Sequence, residues 1–346
     1  MKLSRRPRDR VAEARALAQR GRTADLRGTP VEALGWYDRA LAVLLSEPPS
    51  EMLADVLRWK ATAHRECGDT AAAEQLYEQS AQVALEAGYV GGAAHVANCL
   101  GIVAQRRGEL DAAARFYAES AALATEAGDA RLRVMVLRNS GIIGSIRGEW
   151  SAAIGCFEES LDKARASGDT DGVVRALNNI AIVYTKQRRF AEAEVLHDEV
   201  LRMAKEAGDA LSECVSELNR AEMLLEAGRL DEGELSCTRG MAIAERRGDG
   251  LRRAKGLLLL ARLARLRGTL RSADPLLQEA LDLTDRSEDA SLYAELLLEQ
   301  AALHKARHEH DGARSSLRQA REVYAGLHAR HELDAVSRDL GELSGM

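Results

Sequence analysis

The stretch that decides the fold is GELDAAARFYAES, residues 108–120. A glycine opens it, Ala113 follows five residues on, and Tyr117 stands one helical turn beyond, so a small and a large side chain share one helix face. The same order occurs in GTPVEALGWYDRA, residues 28–40. Working outward, glycine recurs at Gly28, Gly68, Gly108, Gly148, Gly228 and Gly268, always at 40 residues or its double, with Arg188 and His308 in the two remaining places. The small column continues as Ala33, Ala73, Ala113, Ala153, Ala193, Gly233, Ala273 and Ala313. The large column runs Tyr37, Tyr77, Tyr117, Phe157, His197, Cys237, Leu277 and Leu317. Eight units of 40 residues are therefore in register, the signature of a repeat array.

A second glycine column at Gly88, Gly128, Gly168, Gly208 and Gly248 falls midway and is usually followed by aspartate, a helix C′ glycine with the next cap beginning. Each unit thus reads as two helices, A and B. In the fourth, A is expected near Leu132 to Arg147 and B near Ser151 to Ala166, with Ser151, Asp111, Asp231 and Asp311 as B-helix N-caps. A basic tail over 1–10, an array over 11–330 and a capping helix within 331–346 complete the expected organisation. The pattern resembles the tetratricopeptide repeat, with six residues more than the usual 34. Its longer units resemble those of kinesin light chains and bacterial peptide-pheromone receptors. The resemblance implies an all-α, right-handed solenoid whose A helices line a concave groove. Pheromone receptors usually carry a DNA-binding or effector module ahead of the repeats, whereas these repeats begin almost at once.

Composition agrees. Of 346 residues 46% are hydrophobic but only 4% aromatic, and there are five prolines, which disfavours strand-rich folds. Charged residues make up 29% with a net charge of −6, so neither disorder nor a nucleic-acid partner is expected. The basic start has no apolar region after it, and the uncharged stretch from Tyr89 to Gln105 contains His95, Asn98 and three glycines, so neither export nor a membrane span is expected. Five cysteines without a C-x-x-C pair suit a cytoplasmic, reducing setting.

Asn139, Asn179 and Asn219 stand 40 apart in the A helices, beside Asn98 and Asn178. Asparagine is a mediocre helix former, so its repetition asks for a reason. Its amide donates and accepts, as an extended peptide backbone requires, and in the resembled families asparagines at this position clasp a bound main chain. The competing reading is a polar face or ties between neighbouring helices. Around them lie Ile102, Ile142 and Ile182, then Gln105, Ser145 and Thr185, with Arg106, Arg138, Arg175 and Lys186 and no acid in these columns. That set suits a peptide with an acidic side chain or a free carboxylate. Farther on, Leu218, Leu258, Leu259, Leu298, Leu225 and Leu266 replace the polar groups, a strip that would serve self-association if exposed. Gly141 and Gly144 leave room for close packing. No nucleotide-binding loop, nucleophile elbow or zincin motif occurs, so no enzyme and no cofactor is expected. His304, His308, His310 and Asp311 form the one metal-like cluster, without a fixed third ligand, and no metal site is assigned.

Overall fold

A computed structural model describes residues 7–27, 29–284, 289–327 and 329–344. Residues 1–6 of the basic tail and Gly28 of the first repeat lie outside them. Among the described residues there are seventeen α-helices, one 3-10 helix and no strand. In chain order these are α1 Pro7–Leu26, α2 Pro30–Leu44, α3 Glu51–Glu66, α4 Thr70–Glu86, α5 Val90–Arg106, α6 Leu110–Glu126, α7 Ala130–Ile146, α8 Trp150–Ser167 and α9 Thr170–Lys186. They continue as α10 Phe190–Ala207, α11 Ala210–Glu226, α12 Leu230–Arg247, α13 Gly250–Leu266, a 3-10 turn Leu270–Ser272, α14 Ala273–Asp282, α15 Ala290–Ala306, α16 His310–Gly326 and α17 Arg330–Ser344. The chain is an all-α solenoid of helix-turn-helix repeats. It divides into two compact units, one of Met1–Gln105 with Asp111–Val136, the other of Arg106–Leu110 with Leu137–Met346.

The turns inside each repeat explain the glycine columns. Gly148 is left-handed, with φ 76°, and Arg188 and His308, which replace glycine, are forced to φ 59° and 62°. The next amide then bonds back across the helix end: Glu149 N–H donates to the Gly144 carbonyl at 2.8 Å. A three-residue turn centred on the left-handed position therefore ends helix A and leads directly into helix B. This corrects the expected B-helix caps. Glu149, Arg189, Arg229 and Glu309 occupy the N-cap position without a side-chain bond to a first-turn amide. Ser151, Asp111, Asp231 and Asp311 are the second residues of α8, α6, α12 and α16, where the acids still favour the helix dipole. The Gly-Asp junctions do cap the A helices: Asp129, Asp169, Asp209 and Asp249 each accept a first-turn amide, as does Asp289, which follows no glycine.

Packing follows the small and large columns, whose large members from Tyr37 to Leu317 are all buried. A Cβ on Gly101 would fall 2.5 Å from the Tyr117 ring, and one on Gly141 would fall 2.6 Å from Phe157, so these glycines let an aromatic ring lie directly on the A-helix backbone. Within the second unit each A helix packs on its own B helix and also on the A helix of the next repeat, which joins α9, α11, α13 and α15 into a continuous wall. At the C-terminal end α17 packs on α16, burying Val336 and Leu343 with Leu317 and Leu327.

Candidate functional site

A cavity of about 230 Å³ opens on the A helices of the second unit. Helix α7 supplies Arg138 and Ile142, and α9 supplies Val174, Arg175, Asn178 and Asn179. Helix α11 adds Leu211, Ser212 and Val215, and α13 adds Arg252. Each successive helix contributes residues nearer its own N-terminus, so the cavity crosses the wall obliquely rather than along one 40-residue column. The lining holds three guanidiniums, two amides, a hydroxyl and four aliphatic side chains, and no acid.

The acids stand beside it. Arg175 Nε donates to both oxygens of Asp171 at 2.9 Å, and an Arg252 terminal nitrogen donates to Asp249 at 2.8 Å. Asp209 accepts from the amides of Leu211 and Ser212 at 3.1 Å. Burial would lift the Asp209 carboxyl, but its bonds to Ser212 and Leu211, with nearby Arg175, hold it below the usual carboxylate value. Arg138 donates to Asn139 Oδ1 at 3.3 Å.

Five of the nine residues singled out for a groove, Arg138, Ile142, Arg175, Asn178 and Asn179, line this cavity. Asn98, Asn139, Ile182 and Asn219 do not. Asn98 and Asn139 are buried, at 3% and 4% exposure, and so turn little surface to a ligand. Asn219 Nδ2 donates to Asn178 Oδ1 at 3.3 Å, which ties α11 to α9. The ladder is thus partly an inter-repeat tie. The leucine strip is corrected outright for Leu218, Leu225, Leu258 and Leu259, which are 0–4% exposed: Leu218 and Leu225 lie against Gly240 and Gly233 of the paired B helix, Leu258 joins the core of Leu277 and Leu296, and Leu259 that of Leu218 and Cys237. Leu298 is half-buried against the C-terminal core, and only Leu266 is exposed. Self-association through that strip loses its surface.

Where the strip was expected, the wall carries charge. Glu222 on α11 meets Lys186 of α9 at 3.9 Å and Lys255 and Arg262 of α13 at 3.0 and 3.5 Å. Lys255 also reaches Glu295 at 2.5 Å, and Arg262 and Arg265 reach Glu299 at 3.2 and 2.5 Å, both acids on α15. Burial would lift the Glu222 carboxyl, yet Lys255, Lys186 and Arg262 hold it far below the usual carboxylate range. Burial likewise disfavours the Lys255 ammonium, but Glu222 and Glu295 raise it above its ordinary value. Apart from Lys186, sequence reasoning missed this network, although Ile182, Glu222 and Arg262 stand exactly 40 apart and Lys255 and Glu295 likewise.

The histidine cluster is not assembled. His304 Nδ1 lies 2.6 Å from Glu309, and among the described residues no three His, Cys, Asp or Glu side chains converge as a metal site would require. No helix among them is long and apolar enough to cross a membrane.

The sequence model of the MalT-like TPR region matches residues 94–337. No curated protein sequence matches the chain. Among solved structures the chain resembles NprR in complex with its cognate peptide NprX, with a TM-score of 0.67 and 14% identity over 100% of both chains. It also resembles a Rap protein complexed with competence and sporulation factor, with a TM-score of 0.66 and 11% identity over 96% of this chain and 99% of that one. A third is aspartyl phosphate phosphatase F of Bacillus subtilis, with a TM-score of 0.64 and 14% identity over 80% of this chain and 71% of that one. At these identities the likeness is one of fold.

Proposed function

This chain belongs to the MalT-like TPR region family, and on that footing we propose that it is a non-enzymatic scaffold that holds a peptide or protein tail against its A-helix wall. The observation that carries the reading is the cavity over α7, α9, α11 and α13. Its Asn178 and Asn179 amides and Ser212 hydroxyl offer donors and acceptors for a main chain, and its aliphatic walls offer surface for side chains. Two of the solved proteins that share the fold were captured with a peptide or signalling factor bound, which supports the same use here. A cytoplasmic setting fits five cysteines that are all free.

The test is to pan a displayed peptide library against the full chain and titrate the enriched sequences by calorimetry. Asn179→Ala removes backbone hydrogen bonds worth about 0.5–1.5 kcal/mol, so affinity is expected to fall between twofold and roughly tenfold with the melting temperature unchanged or slightly raised. Failure to enrich any sequence, or enriched peptides that bind the variant as well as the wild type, would overturn the reading.

A further inference from the structure

We infer that the outer face of the first repeat, formed by α1 and α2, docks an acidic helix of a partner protein, held by Arg20 and Arg27 through acids spaced i, i+3 and i+7 and seated on Trp36. This face shares no residue with the A-helix cavity and does not depend on what that cavity holds.

The array itself shows what such a face takes. At several junctions a cation on the later repeat reaches back to acids on the preceding B helix. Lys60 meets Asp38 of α2 at 2.7 Å, and Arg220, at the same register, meets Glu194 and Asp198 of α10 at 3.5 and 3.4 Å. At a second register Arg267 meets Asp231 and Glu234 of α12 at 2.5 and 2.8 Å, and Arg307 meets Asp274 of α14 at 2.7 Å. Counted back in steps of 40 to the first repeat, these two registers are Arg20 and Arg27. Both are exposed, neither meets an acid among the described residues, and no described helix precedes α1 to supply one. The acids that answer these cations fall at three places on a B helix: Asp231 at the first, Glu194, Glu234 and Asp274 at the second, Asp38 and Asp198 at the third. Their spacing of i, i+3 and i+7 puts them on one helix face.

Trp36 gives the docking face an apolar centre. Asp38 marks the side of α2 that meets α3, because it pairs with Lys60. Trp36 is two residues away, about 200° around the helix, and so lies on the opposite side. Its half-buried ring sits between the Arg20 and Arg39 guanidiniums, 4.9 and 4.7 Å from the ring centroid, a grouping of the kind that anchors interfaces. Leu26 and Val31, 81% and 75% exposed, flank the turn that carries Arg27. With Val11 and Leu45 they place half of the eight large exposed apolar side chains among the described residues in this one repeat.

Charge selects the occupant. Residues 1–40 carry ten Lys and Arg against five Asp and Glu, whereas the other 306 carry 38 against 49. The acids of the first repeat are engaged within the chain: Asp25 accepts from Tyr37, Glu32 from Trp36, and Asp38 and Glu47 pair with Lys60 and Arg10. The arginines are left to meet an acidic partner. A second copy stacked end to end would meet arginine with arginine, because the last B helix, α16, carries Arg314 and Arg318 at two of the three acid registers. A bilayer or a nucleic acid presents phosphates without the i, i+3, i+7 spacing, and exposed Glu32 and Asp38 would repel them.

The experiment is fluorescence anisotropy on the full chain with labelled, hydrocarbon-stapled 18-residue helices. One pool has Glu at i, i+3 and i+7, the other Gln, with the adjoining face randomised over Leu, Ile, Val and Met. The Glu pool is expected to bind about five- to tenfold more tightly, with the gap narrowing as salt rises. Arg20→Gln and Arg27→Gln should each reduce the gap without changing the melting curve followed by circular dichroism, and Trp36→Ser should weaken both pools. Arg202→Gln, an exposed arginine on α10, is the control and should change nothing. Equal binding of the two pools, a preference untouched by Arg20→Gln and Arg27→Gln, or absence of saturable binding by either pool would overturn the inference. So would binding of phosphatidylserine vesicles or a DNA duplex, or self-association in sedimentation, that is lost in the Arg20→Gln, Arg27→Gln double variant, since the face would then belong to a membrane, a nucleic acid or a second copy.

Discussion

Replacing Gly141 by alanine sets two opposed effects against each other. In a helix interior alanine is favoured over glycine by about 1 kcal/mol. Against that, a Cβ at position 141 falls 2.6, 2.8 and 3.0 Å from three carbons of the Phe157 ring, which is 1% exposed and has nowhere to retreat. Overpacking of that kind costs about 1–3 kcal/mol. The packing term is therefore expected to win, leaving Gly141→Ala less stable by about 1 kcal/mol. Gly155→Ala on α8 is the control, because nothing lies within 4 Å of a Cβ there and the full propensity gain should appear. Phe157→Leu supplies the second arm. It recreates the leucine that Leu277 and Leu317 provide in later repeats, where Ala261 and Ala301 stand in place of the glycine. In that background Gly141→Ala should be stabilising, a favourable coupling of about 1–3 kcal/mol in a double-mutant cycle. Melting followed by circular dichroism reads all four variants, and hydrogen exchange in α7 and α8 reports whether the loss is local, as repeat arrays permit. If Gly141→Ala stabilises as much as Gly155→Ala, the ring moves freely and the small-and-large columns do not constrain the packing.

Burial, with Arg220 adding in the same direction, pushes the His197 imidazole down to about 4, so the folded chain keeps it neutral where the unfolded chain protonates it. Stability should be intact above about pH 6.5 and fall as pH drops toward 4, by up to about 3 kcal/mol, and His197→Leu should flatten that part of the pH profile of the melting temperature. Glu222→Gln removes the one acid shared by Lys186, Lys255 and Arg262 and should cost about 3 kcal/mol, read as a lowered melting temperature. His308→Gly relieves a left-handed non-glycine residue and should raise stability by about 0.5–1 kcal/mol in the same assay. Asn219→Ala should lower stability by about 0.5–1.5 kcal/mol through the lost tie to Asn178, which separates it from Asn179→Ala.

The helices were legible because the 40-residue columns record a steric fact, a glycine or alanine on helix A facing a larger side chain on helix B, that every unit satisfies in the same way. Even the exceptions were visible, since Arg188 and His308 occupy places where the turn demands a left-handed residue and adopt that conformation. What the sequence did not carry was the angle between one repeat and the next. That angle decides whether Leu258 and Leu259 face a groove or the neighbouring A helix, and it buries them. It also tilts the cavity across the columns, which is why reading along a fixed register found Asn178 and Asn179 but passed over Leu211, Ser212, Val215 and Arg252. The opposite charges at Glu222 and Arg262 stood in plain register, but only contact between the helices makes them partners. The B-helix caps were misread because the turn is tight enough for helix B to begin with its N-cap two residues earlier than expected, at Glu149 rather than Ser151.

The ion pairs along α9 to α15 bear on how such an array can evolve. Genes for tandem repeats grow and shrink by unequal recombination, which inserts or excises whole units and leaves each helix pair intact. Where repeats are held only by apolar columns, any unit can follow any other. Glu222 is different, since its cations come from the units before and after its own, and those cations have further acids one unit along. Excising the unit of α11 and α12 would set Lys186 beside Lys255 and Arg262 with no carboxylate between them. The ion pairs from α9 to α15 therefore tie the order and number of these units to charge balance, even though each unit alone has the form of an interchangeable part.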